Sequence, residues 1–105
     1  MKLCKKLYFG EMAEKQNKEL LRNVKHKKWG IGMYVIALSE TDNNLLDIYN
    51  TMWFEQKYYK KRKLDIVGIA IGKSEAVTLV QKIIDAVYTK TGGFNVREYF
   101  LTDKE

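Results

Sequence analysis

The sequence predicts an α/β fold: a four-stranded, mostly parallel or mixed sheet covered by helices, in the order β-α-β-α-β-α-β. Three observations carry this expectation. The runs "IGMYVIAL" at 31–38 and "DIVGIAI" at 65–71 are apolar at nearly every position, as strands buried on both faces are. Ala76, Leu79, Val80, Ile83, Ile84 and Val87 recur at helical spacing directly after the second run. Strand-like and helix-like segments then alternate along the chain, which is how helices come to cover a sheet. A ferredoxin-like α+β sheet carrying an extra helix is the alternative arrangement.

Each element has its own signal. Leu3, Leu7 and Phe9 alternate with Lys6 and Tyr8, giving a first strand at 3–9 that Gly10 ends. Residues 11–27 are mostly good helix formers with a thin apolar stripe of Met12, Ala13, Leu20, Leu21 and Val24, a helix lying on the surface. The run 31–38 is the second strand. Thr41 or Asp42 then caps a third segment, in which Leu45, Ile48, Tyr49, Met52, Trp53, Gln56 and Tyr59 fall at helical spacing. This spacing predicts an apolar helix over 42–63. After the strand 65–71, Ser74 is the expected cap of a helix that Gly92 and Gly93 stop. Alternation over 94–101 predicts a last strand at the sheet edge, making 65–101 a βαβ unit.

Composition narrows the class. The 105 residues fit one domain, 1–105, and an apolar share of 46% is enough for a hydrophobic core. Proline is absent, and no linker, repeat or low-complexity stretch interrupts the chain. The longest apolar run, Trp29 to Leu38, is half of what a membrane-spanning helix requires. The N-terminal "MKLCKKLYFGEMAEK" scatters charges where a signal peptide has an apolar core, so a cytoplasmic protein without membrane contact is expected. The heavy use of Lys, Ile, Asn and Tyr is that of an A+T-rich bacterial genome. A lone Cys4 in a strand-like segment reads as a buried, inert thiol.

Charge is uneven. The net +6 arises from residues 1–63, which hold 14 basic against 7 acidic side chains, and two runs concentrate it, 25–28 and 60–63. Such a footprint suits a polyanion. Sixteen of the 19 basic residues are Lys, which argues against reading of base edges, where Arg is the better tool.

The stretch "GIAIGKSEA" at 68–76 ends like a phosphate-binding loop. That loop needs G-x-x-x-x-G-K-[ST], and counting back from Gly72 puts Val67 where the first glycine belongs. The match is false. What remains is a strand running into a helix, with Glu40, Thr41, Lys73 and Ser74 as a candidate anion or ligand pocket at the strand C-terminal edge, beside Gly10 and Glu11. His26 is the single histidine and lies in a cationic run, and no constellation names a catalytic or metal site.

The segment "WFEQKYYKKRK" at 53–63 is the most distinctive. Its aromatics suit a protein contact, with Trp53, Phe54 and Tyr58 as candidates. Its cations, with those of the first basic run, suit a nucleic acid: Lys25, Lys27, Lys28, Lys57, Lys60, Lys61, Arg62 and Lys63. The sequence therefore leads to a non-enzymatic binding protein without cofactor or metal, self-associating or meeting a protein partner through 42–63. Nucleic-acid binding and small-ligand binding are the alternatives.

Overall fold

Four strands form: β1 (Lys2–Phe9), β2 (Met33–Leu38), β3 (Leu46–Asn50) and β4 (Asp65–Ile71). They hydrogen-bond in the order β1-β4-β2-β3, with β1 parallel to β4 and β2 antiparallel to both β4 and β3. The computed structural model describes residues 2–40, 45–60 and 62–101. The α/β class and the four-stranded mixed sheet are those the sequence predicts, with the apolar runs β2 and β4 at its centre. The parallel β1–β4 pair sets the sheet apart from the antiparallel ferredoxin-like alternative.

Helices cover both faces. One core joins Ile36, Leu38, Val67 and Ala70 of the sheet to Leu79, Ile83 and Val87 of α4 (Lys73–Thr91) and to Val96, Tyr99 and Phe100 of α5 (Val96–Leu101). The other joins Val35, Ala37, Ile66 and Ile69 to Ala13 of α1 (Glu11–Glu14) and to Leu20 and Val24 of α2 (Asn17–Lys25). Phe54 and Leu64 complete it. Ile36, Ile66, Ile69 and Ile83 are fully buried, each contributing about 1.5–3 kcal/mol by leaving water. At Gly68 a Cβ would lie 3.1 Å from Leu79 Cδ2 and 3.3 Å from Ile83 Cδ1, so α4 rests directly on the β4 backbone there.

Three predicted elements differ. The helix over 42–63 is replaced by β3, a 3-10 turn (Thr51–Glu55) and the short α3 (Lys57–Lys60). Residues 46–50 pair with β2 from Leu38↔Leu46 to Tyr34↔Asn50, and this pairing overrides the helical spacing. The last strand, 94–101, is instead α5. Asn95 Oδ1 accepts the Glu98 N–H at 3.0 Å and Asn95 Nδ2 donates to Glu98 Oε1 at 3.3 Å, a capping arrangement at a helix start. Val96, Tyr99 and Phe100 are buried at helical spacing, so 65–101 is not a βαβ unit. The helix expected over 11–27 divides into α1 and α2 at Lys15 and Gln16, and Met12 is exposed rather than part of the stripe.

Candidate functional site

The aromatic segment is ordered by its own caps. Asn50 Oδ1 accepts the Met52 N–H at 3.0 Å and starts the 3-10 turn, which points Thr51 and Phe54 inward and Met52 and Trp53 outward. Thr51 Oγ1 donates to the Gly30 carbonyl at 3.3 Å. Phe54 is 1% exposed, with ring centroids 5.1 Å from Trp29 and 5.8 Å from Tyr49. It is therefore a core residue and not the contact residue its neighbours suggest. Trp53 and Tyr58 are 42% and 66% exposed. Trp53 stacks on Tyr59 at 6.1 Å, and Tyr58 meets Tyr59 edge-on at 5.0 Å.

Arg62 completes this surface. Its guanidinium lies 5.1 Å from the Tyr58 ring centre and donates to the Glu40 carboxylate in an ion pair. Aromatics and a cation thus share one face, but Arg62 is already committed to Glu40. Beside them runs β3, which among the described residues pairs on one side only, with β2. Ser39 N–H donates to the Leu45 carbonyl at 3.4 Å, so by antiparallel alternation the N–H groups of Leu46, Ile48 and Asn50 point away from β2. The two sheet edges differ. β1 carries Lys2, Lys5 and Lys6, the usual protection of an edge, whereas β3 carries one charge, Asp47.

The first basic run is set by the end of α2. Lys27 N–H donates to the Val24 carbonyl at 3.0 Å and Lys28 N–H to the Asn23 carbonyl at 2.8 Å, the pair of bonds of a Schellman motif. Lys27 takes its left-handed position, at φ 56°, where glycine is the usual residue. Lys25, Lys27 and Lys28 are exposed. Lys25 and Lys27 line a hollow of about 340 Å³ with Lys2, Leu3 and Val24. Lys2 N–H donates to the Leu64 carbonyl at 2.8 Å, which brings the chain at exposed Lys63 to the same end of the sheet. Lys57 is exposed beside Tyr58, and Lys60 ends α3. Lys61 and Thr41 lie outside the described residues.

The predicted strand-end pocket comes apart. Because β2 runs antiparallel to β4, Glu40 stands at the opposite end of the sheet from Lys73 and Ser74. A cleft of about 960 Å³ does open where β1 and β4 end, lined by Gly10, Glu11, Ser74 and Glu75 among others, with Lys73 not among them. Three backbone donors around it are taken. Glu75 accepts N–H bonds from Met12 at 2.7 Å, Ile71 at 2.9 Å and Ala13 at 3.2 Å. Burial pushes this carboxyl up, but the three bonds outweigh it and hold its pKa below 4.5. Gly72, at φ +89°, starts the helix, so Ser74 is not its cap. An internal carboxylate thus takes three of the N–H groups an anionic ligand would use, and its charge opposes an anion there.

Sequence reading missed Lys2, the roles of Glu75 and Met52, and the β3 edge. The polar "TDNN" before Leu45 is a turn signal that would have marked β3 as one arm of a hairpin. Nothing in sequence joins Lys2 to Lys25. Cys4 is buried, and that burial pushes its thiol pKa up, with Asp65 adding and Lys2 opposing. Among the described residues, no cluster of three or more His, Cys, Asp or Glu side chains is arranged to hold a metal, and no helix is long and apolar enough to cross a membrane. Comparison with protein-family models, curated proteins and solved structures finds no match to this chain.

Proposed function

We propose that this chain is a cytoplasmic, non-enzymatic interaction protein that works as a homodimer, paired through β3 and the aromatic surface beside it. The observation that carries the reading is the exposure of Met52, Trp53 and Tyr58, with Arg62 over the Tyr58 ring, next to a strand whose outward N–H groups have no partner among the described residues. Met, Trp, Tyr and Arg are the residue types that protein interfaces enrich, and the aromatic and Arg side chains supply most hot spots.

A second copy suits this edge. A two-fold pairing centred on Ile48 sets Ile48 against its counterpart, Leu46 against Asn50, and Asp47 against Tyr49. The outward N–H groups are then all bonded, and no like charges meet. The indole of Trp53, 6.3 Å from the Tyr49 ring, extends the contact beyond the strand. The nucleic-acid reading of this same surface is weaker, because Arg62 is paired with Glu40 and would have to be released.

Light scattering over a concentration series tests the proposal. The expected mass rises toward twice 12.3 kDa, and Trp53→Ser with Tyr58→Ser holds it at one. Both side chains are substantially exposed, so the double variant keeps its far-ultraviolet circular dichroism. A monomer at every accessible concentration, or a dimer indifferent to the double variant, contradicts the reading.

A further inference from the structure

The basic end of the sheet is a separate feature. Lys2 from the start of β1, Lys25, Lys27 and Lys28 from the end of α2, and Lys63 from the approach to β4 come from three parts of the sequence. All five are exposed, and none is in an ion pair among the described residues. Among the described residues, this end of the sheet also holds Asp65, in register with Lys2, and Glu40, which is paired with Arg62. Three of the five line or adjoin the hollow between β1 and α2 as Lys2, Lys25 and Lys27.

The support beneath them is rigid. Leu20 and Val24 anchor α2 in the core, and the Schellman bonds fix residues 26–28 as a closed turn. A solvated lysine face requires no particular backbone. Here Lys27 occupies the left-handed position of the Schellman motif, so a lysine stands where glycine is the usual residue.

We infer that this basic end binds the phosphate backbone of a nucleic acid, with Lys2, Lys25, Lys27, Lys28 and Lys63 as its contacts. Lysine ammonium groups act as point charges on phosphates without reading bases, so the binding is independent of base sequence. An anionic membrane is the less suitable partner. The apolar residues of the hollow, Leu3 and Val24, are half-buried and buried, and do not reach outward into acyl chains.

Fluorescence anisotropy of a labelled 20-nucleotide oligothymidine tests the inference. With about 0.7 counterions released per phosphate on a single strand, three to five contacts weaken binding about 20- to 100-fold between 50 and 200 mM salt. Lys25→Gln with Lys27→Gln and Lys28→Gln should lower the slope of log affinity against log salt by about 2. Lys25→Gln with Lys28→Gln, which leaves the left-handed position alone, should lower it by about 1.4 if the triple variant folds poorly. Lys15→Gln with Lys82→Gln removes two charges around the cleft at the opposite end, and should leave affinity within about twofold. Absence of binding at 50 mM salt overturns the inference. So does an equal loss from the two double variants, or tighter binding to phosphatidylserine-containing vesicles than to the oligonucleotide.

Discussion

Gly10 and Glu75 depend on each other. A Cβ on Gly10 would lie 2.2 Å from Glu75 Oε2 and 2.3 Å from its Cγ, inside the space the carboxylate needs to reach its three N–H donors. Gly10→Ala should therefore destabilise the fold by about 1–2 kcal/mol, the scale of a lost helix cap. Glu75→Ala should cost a similar amount, since it removes the same bonds. In the Glu75→Ala background Gly10→Ala should cost little, a non-additivity that urea denaturation of the four proteins measures. Tyr8 gives a pH signature at the same scale. Burial, with its 2.9 Å hydroxyl–hydroxyl bond to Tyr99, pushes its pKa from 10.0 up to about 12. The stability it contributes is present below pH 10 and is lost as pH rises to about 12, because the unfolded chain releases the proton first. Tyr8→Phe should flatten that decline in pH-dependent melting.

Elements buried on both faces are the ones sequence reveals. β2 and β4 announce themselves by continuous apolar runs, and α4 by its stripe ending at Gly92, whose φ of +77° closes the helix. The failures lie where two periods fit the same residues. Val96, Tyr99 and Phe100 read as alternation with their neighbours but also fall at i, i+3 and i+4, and the Asn95–Glu98 cap decides for the helix. Asn95→Ala should then cost about 1 kcal/mol in urea denaturation, loosening the Tyr99 and Phe100 contacts with the core. In 46–50 the deciding factor is outside the segment. β2 has β4 on one side and pairs with residues 46–50 on the other, so their helical spacing is overruled by hydrogen bonds to the preceding strand.

At the scale of the molecule, the mixed sheet separates features that a parallel sheet would have gathered. Glu40 goes to one end, where it binds Arg62, while Ser74 and Glu75 go to the other. The basic residues were legible as two runs in sequence, but their meeting with Lys2 depends on β1 lying beside β4 and α2 returning to it. The aromatic segment was legible as a candidate surface, although only the fold divides it into buried Phe54 and exposed Trp53 and Tyr58. The central proposal, pairing of two copies along β3, is tested most directly by amide hydrogen exchange at low and high protein concentration. The account predicts that Leu46, Ile48 and Asn50 exchange freely when dilute and become protected as concentration rises, while the α4 amides do not change. Exchange at these three amides that is the same at both concentrations would contradict it.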